Sequence, residues 1–165
     1  MRDFPMIRVE QSEINKYLFF KNLEINRKYS ANKKIIKKID HYIWWFKKQK
    51  KRKSFFIIKN NLPIYISTAD FFYFKKNKFI YSGLISCLNE TNLFDILKAI
   101  KIQNNYLDKK KGYFCIISID KKNKALMKHW KYFGYKPMLK KFKFYKTIKK
   151  YFKIGNQYNI YFKKI

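Results

Sequence analysis

The sequence predicts an α/β protein, a mixed β-sheet flanked by helices, and three observations carry that expectation. Between residues 79 and 135, two apolar runs alternate with two helical patterns: FIYSGLISCL, NETNLFDILKAIKIQ, GYFCIISID and NKALMKHWKYFGY. Such alternation marks a βαβα unit with parallel strands. GYFCIISI is almost unbroken apolar sequence, as expected of a strand covered on both faces. Upstream, β-rich runs punctuated by Asn, Pro and Lys turns read as an antiparallel meander leading into the parallel unit.

Taken in order, residues 6–9 read as a first strand, and residues 14–20 as a short helix with Ser12 as candidate cap. Residues 31–48 read as an amphipathic helix whose apolar face is Ile35, Ile39, Tyr42, Ile43 and Phe46. The basic run KKQKKRK (residues 47–53) then reads as a solvated helix exit, because cations at a helix C-terminus complement its dipole. Residues 54–58, 64–68, 71–74 and 79–88 read as strands, with turns at residues 60–63 and 75–78. Leu93, Ile96, Leu97 and Ile100 recur at helical spacing, as do Leu126, Trp130 and Phe133 beside Met127. Asn123 is placed to cap the second of these helices, and Gly134 to permit a left-handed exit from it. Residues 135–151 and 158–162 read as two closing strands, joined by Ile154-Gly155-Asn156-Gln157. With no internal repeat and no linker, the chain reads as a single domain over residues 1–165.

Composition narrows the function classes. Apolar residues make up 47% of the chain and aromatics 21%, which disfavours disorder despite the charge. No apolar run reaches the length of a membrane span, and Met1-Arg2-Asp3-Phe4-Pro5 does not begin a signal peptide, so a cytoplasmic location is expected. Cys87 and Cys115 fall in predicted strands and read as small buried hydrophobes. Two Cys and two His at unrelated spacings give no metal site. The net charge of +30 has two readings: a surface for nucleic acid, anionic lipid or phosphorylated ligands, or the mark of an AT-rich genome. Lys, Asn, Ile, Phe and Tyr dominate together, and only four of the 40 basic residues are Arg, the residue that makes bidentate contacts to phosphates and bases. The compositional reading leads, and no specific nucleic-acid partner is expected. Either way the field draws in anions.

Asn123-Lys124-Ala125, then Trp130, then Phe133-Gly134-Tyr135 resembles the segment that closes the core of the GCN5-related N-acetyltransferases (GNAT). Three further stretches resemble the members that act on amino-sugar nucleotides in surface-glycan pathways. Phe20-Lys21-Asn22, Arg27 and Ser30 follow the spacing of a W-R-N-x-x-x-x-R-x-x-S block, with Phe for Trp and Lys for Arg. The run from His41 through Trp44 to Phe46 resembles an H-x-x-W-F motif. Gly155 followed by Tyr158-Asn159-Ile160-Tyr161 resembles a G-x-Y-x-D closing hairpin, with Asn159 where Asp is usual.

The resemblance implies an acetyl-CoA-dependent N-acetyltransferase whose acceptor is a small-molecule amine, in particular an amino sugar linked to a nucleotide. It implies acyl-CoA held where two central parallel strands splay apart, with the pyrophosphate on orphan N–H groups at a helix N-terminus. The implied cofactor-binding residues are Ser86, Leu88, Glu90, Thr91, Asn92, Leu93 and Asn123. Asn22, Arg27 and Trp44 are the implied acceptor contacts, and His41 the implied proton acceptor, since imidazole serves near neutral pH. Two positions depart from the family pattern. The phosphate loop falls on Asn89-Glu90-Thr91-Asn92-Leu93 and has no Gly, and Trp130 stands where the usual Tyr acid would be. Those departures keep open a GNAT-fold protein without turnover. A basic nucleic-acid-binding protein is the other alternative, and it predicts aromatic rings exposed on a basic surface.

Overall fold

Turn chemistry sets the corners of the meander. Asn60 and Asn61 adopt φ of 49° and 62° in a two-residue hairpin loop, the left-handed pair that such loops require and that Asn tolerates. The computed structural model describes residues 4–30 and 33–165. In chain order it forms β1 (Met6–Arg8), a 3-10 turn at Gln11–Glu13, α1 (Ile14–Asn22), α2 (Glu24–Lys28), α3 (Lys38–Lys48), β2 (Arg52–Lys59) and β3 (Leu62–Phe74). β4 (Asn77–Ser86), α4 (Leu93–Asp108), β5 (Tyr113–Asp120), α5 (Lys124–Tyr132), β6 (Lys136–Pro137), α6 (Tyr145–Tyr151) and β7 (Tyr158–Lys164) follow. The seven strands make one sheet in the order β1-β2-β3-β4-β5-β7-β6. Only β4 and β5 pair in parallel; the rest are antiparallel, giving the mixed α/β sheet expected.

Helices cover both faces of the sheet. On one side Ile80, Cys115, Ile117 and Ile119 pack against Ile100 and Leu107 of α4 and Trp130 of α5. On the other, Phe79, Ile116 and Ile160 meet Ile148 of α6, while Phe56 and Ile66 meet Tyr17 and Phe20 of α1 and Trp45 of α3. The buried βαβα unit thus sits at the centre, as its apolar strands require. Asn92 and Asn123 cap α4 and α5, accepting the Asp95 and Leu126 N–H groups at 3.1 Å each. Gly134 ends α5 at φ 83°, the left-handed exit predicted for it. Cys87 and Cys115 are buried free thiols, both raised to about 12 by burial.

The structure corrects four expectations, the first being Ser12, which lies inside the 3-10 turn while Glu13 occupies the N-cap of α1 without a side-chain capping bond. The helix read over residues 31–48 is α3, Lys38–Lys48, and Ala31 and Asn32 lie outside the described residues. Its exposed face carries Ile39, Ile43 and Phe46, with Ile35 exposed just before it, while His41 and Trp45 turn inward. The stretch at residues 135–151 is not a strand but two residues of β6, a turn segment and α6. Phe144, Ile148 and Phe152 recur every fourth residue there and pack as one helical stripe. The strands read at residues 64–68 and 71–74 are one continuous strand, β3. Asp70, an unfavourable strand residue, is accommodated because its register partner is Arg52, whose Nε and one terminal guanidinium nitrogen both donate to its carboxylate.

Candidate active site

β4 and β5 share a ladder of only four rungs, from Lys78 against Tyr113 to Tyr81 against Ile116. Beyond it the strands part, although β4 stays on β3 as far as Ser86 and β5 stays on β7 as far as Asp120. Their inner edges therefore face each other unpaired, with backbone donors and acceptors that need water or a ligand. The Cys87 N–H donates to the Ile64 carbonyl at 2.9 Å, so alternation turns the backbone of Ser82, Leu84 and Ser86 toward the gap. A cleft of about 500 Å³ fills the opening. Ile96, Leu126 and Trp130 line it from the α4–α5 side, and Lys21, Asn26 and Arg27 from the α1–α2 side.

Asn26 takes one end of the exposed edge. Its Nδ2 donates to the Ser86 carbonyl at 2.7 Å, and its Oδ1 accepts the Ser86 N–H at 2.9 Å. The amide thus acts as one residue of a missing strand, leaving the Ser82 carbonyl and the Leu84 backbone free to pair with a ligand, the Ser82 N–H being used by the last rung of the ladder, Tyr81 against Ile116. At the apex, the Tyr81 and Ser118 hydroxyls hydrogen-bond to each other. Burial raises the Tyr81 phenol, with the Ser118 bond opposing it, so the phenol keeps its proton at neutral pH. Tyr158 closes a wall by donating to the Tyr29 carbonyl at 2.9 Å.

The cleft's mouth lies at the start of α4. Among the described residues, the N–H groups of residues 89–94 have no acceptor inside the protein. Such a row of donors, with the helix dipole behind it, attracts an anion. Two carboxylates work against this. Glu90 is exposed on the loop, and Asp95, buried in the first turn, is held by Lys59 Nζ at 2.8 and 2.9 Å.

The residues predicted from sequence are distributed unevenly around this cleft. Arg27, Ser86, Thr91 and Asn123 line it, and Leu88, Glu90, Asn92 and Leu93 border its mouth in the exposed loop. Asn123 is committed to capping α5, and Asn92 to capping α4. The Ser86 hydroxyl binds the Leu88 N–H and carbonyl within its own turn. Asn22 does not line the cleft; its amide pins Ile36 through both N–H (2.8 Å) and carbonyl (3.0 Å). Arg27 braces the same region, donating to the Asn22 carbonyl at 3.1 Å and the Lys33 carbonyl at 3.2 Å.

His41 and Trp44 belong to a separate cluster behind Lys21. The His41 ring stacks on Tyr17 at 5.6 Å and Trp44 at 5.2 Å, and neither His41 nor Trp44 lines the cleft. Burial, then the Lys21 ammonium, lowers His41 to about 4, so its ring is neutral at pH 7. Lys21 links the two regions: it lines the cleft while its ammonium sits 4.2 Å from the Trp44 ring centroid. Burial, then Arg52, lowers Lys21 to about 8, with Asp70 opposing. Tyr81, Ser118 and Asn26 carry no signal in the sequence, and Lys21 and Tyr158 stand there as motif positions without an assigned role. Asn26 and Ser86 are 60 positions apart, and nothing local in the chain marks such a pair.

No protein-family model matches the chain, and no curated protein matches it by sequence. Solved structures do match. A ribosomal-protein-alanine N-acetyltransferase from Brucella melitensis superposes with a TM-score of 0.71 at 10% identity, over 98% of this chain and 99% of that one. An acetyltransferase of the GNAT family from Streptococcus pneumoniae gives 0.68 at 8% identity, over 99% of each chain. The chain has the GNAT fold. The protein yncA from Salmonella typhimurium, solved with its cofactor acetyl-CoA, gives 0.65 at 9% identity, over 98% of this chain and 92% of that one. At these identities the likeness is one of fold. Among the described residues no helix is long and apolar enough to cross a membrane, and no cluster of three metal-ligating side chains occurs.

Proposed function

We propose that the protein is an acetyl-CoA-dependent N-acetyltransferase acting in the cleft between β4 and β5. The observation that carries this reading is the parting of the two strands after Tyr81 and Ile116, which leaves unpaired backbone edges beside a 500 Å³ cleft. In this reading the free Ser82 carbonyl and the Leu84 backbone would hold the acyl-CoA arm by strand-like hydrogen bonds. The N–H groups of residues 89–94, bordered by Leu88, Glu90, Thr91, Asn92 and Leu93, would hold the pyrophosphate, while Ser86 and Asn123 line the cleft beyond. When bound, acetyl-CoA supplies a thioester carbonyl for direct attack by an amine.

The chain's own groups then hold and move protons. Tyr81 keeps its proton and is placed at the apex, so it is the donor to the departing thiolate in place of the phenol that Trp130 lacks. Lys21, lowered to about 8, lines the acceptor side and is the group there best matched to accept the amine's proton. Arg27 also lines that side, a cationic wall suited to an acceptor carrying phosphate, such as a nucleotide-linked amino sugar. His41, Asn22 and Trp44 act from behind, keeping Lys21 and Arg27 in place.

A second reading, a GNAT-fold protein without turnover, is favoured by Glu90 and Asp95 at the phosphate end and by Asn26 on Ser86. A thiol-release assay with acetyl-CoA and a panel of amines separates the two. Release with a nucleotide-linked amino sugar, and little with the free sugar or a peptide amine, supports the full proposal. Release with other amines alone removes the acceptor assignment, and no amine-dependent release favours the second reading.

A further inference from the structure

The run KKQKKRK does not simply end a helix in solvent. At the end of the sheet opposite the cleft, its Lys50, Lys51 and Lys53 meet Lys110 around an open recess of about 580 Å³. That recess is also lined by Tyr73, Tyr113 and Tyr151 and, among the described residues, by no carboxylate. Tyr73 is 66% exposed and Tyr151 47% exposed, which is unusual for rings that could have packed into the core. Ammonium groups sit beside ring faces around the recess: Lys48 is 5.8 Å from the Tyr151 centroid, Lys78 5.8 Å from Tyr113, and Lys53 5.9 Å from Phe71. Tyr73 and Tyr113 share a hydroxyl hydrogen bond at 3.0 Å, which orients both rings.

We propose that this recess is a binding site for single-stranded nucleic acid, read without sequence preference. The total charge does not carry this inference, since a net +30 attracts any polyanion. The coincidence of clustered lysines with exposed, oriented tyrosine rings carries it. Lysines neutralise phosphates as point charges, and aromatic faces stack bases of any identity. A duplex hides its base faces within the stack, whereas a single strand presents them. The near absence of Arg around the recess removes the bidentate readout of base edges. A lipid surface fits less well, because the two phenylalanines of the lining, Phe71 half-buried and Phe72 buried, are packed into the protein rather than presented for insertion. The site is independent of the cleft, lying at the N-terminal ends of β4 and β5 whereas the cleft lies at their C-terminal ends.

The test is fluorescence anisotropy with a labelled oligo-dT of about 12 nucleotides, a duplex of the same length, and phosphatidylserine-containing vesicles as competitors. Replacing Lys50, Lys51, Lys53 and Lys110 together by Gln is compared with replacing Lys128, Lys131, Lys140 and Lys141, exposed residues elsewhere that remove the same charge. The recess variant is expected to bind the single strand at least about 30-fold more weakly and to lower the slope of log affinity against log salt by about 3, the control by much less. Tyr73→Ala and Tyr151→Ala are each expected to cost about fivefold or more, and Tyr73→Phe little. Melting curves confirm folding of each variant, and the exposed Tyr73 keeps the test valid if Tyr151→Ala is unstable. Equal losses in the two four-lysine variants, unchanged binding by Tyr73→Ala, tighter binding of the duplex, or displacement by vesicles would each overturn the proposal.

Discussion

Tyr81 and Ser118 join hydroxyls across the point where β4 and β5 cease to be partners. The Tyr81 ring is itself fixed, stacked on Phe152 with centroids 4.2 Å apart, so the hydroxyl is presented by a rigid support. Removing the hydroxyl alone tests its role. Tyr81→Phe keeps the ring stack and is expected to lower kcat by about 100-fold with little change in melting temperature, as for loss of a proton donor. Steady-state kinetics with a thiol-release readout check this, and a kcat within about twofold of wild type would assign the proton to water instead.

His41 makes stability pH-dependent. Its ring is lowered from 6.5 to about 4 by burial, with the Lys21 ammonium and the Arg52 guanidinium also facing it, and Tyr17 stacked against it. The unfolded chain therefore binds a proton between pH 6.5 and 4 that the folded chain refuses. Stability is fully present above pH 6.5 and falls as pH drops toward 4, by at most about 3 kcal/mol from this residue. Urea unfolding across that window, compared with His41→Gln, isolates the contribution. The variant is expected to lose part of the slope.

Asn26 is the structural clasp of the cleft's end. Asn26→Ala releases the Ser86 N–H and carbonyl toward the gap, and is expected to cost about 1–2 kcal/mol in chemical denaturation. The same variant lengthens the free edge of β4. If acyl-CoA pairs with that edge, its affinity is unchanged or improved despite the lost stability, a combination that calorimetry and denaturation together detect.

Asp95 opposes an anion at the start of α4, although Lys59 offsets part of its charge. Asp95→Asn is expected to tighten acetyl-CoA binding by about two- to fivefold at low salt, the magnitude of one charge at a helix N-terminus. It is also expected to lower the melting temperature, because Lys59 loses its partner and the first turn its acid. Weaker binding by Asp95→Asn would place the pyrophosphate elsewhere.

The central βαβα unit was legible because local signals and global fold agree there. Asn92 and Asn123 cap, Gly134 exits at positive φ, and the apolar run of β5 is buried on both faces. Where aromatics are dense, periodicity admitted two answers. In α3 the apolar side chains nearly encircle the helix, and the core selected His41 and Trp45 because Tyr17 offers ring contacts to both. Around α6, Phe142 and Phe144 alternate with lysines like a strand, while the four-residue spacing of Phe144, Ile148 and Phe152 was the overlooked helical signal. The site was half legible. Capping residues and Arg27 carry local patterns, but the Asn26–Ser86 clasp and the Tyr81–Ser118 bridge come from tertiary pairing alone.

If the parted strands hold acetyl-CoA, calorimetry detects it without an acceptor amine. Titration of acetyl-CoA at about 0.5 M salt screens the long-range attraction of so basic a chain, and ATP and a short oligonucleotide serve as anionic controls. A cofactor site between β4 and β5 gives saturable acetyl-CoA binding that survives this salt, exceeds that of ATP, and persists when the oligonucleotide is already bound. Equal and salt-sensitive binding of all three would contradict it, leaving the fold without a cofactor site between β4 and β5.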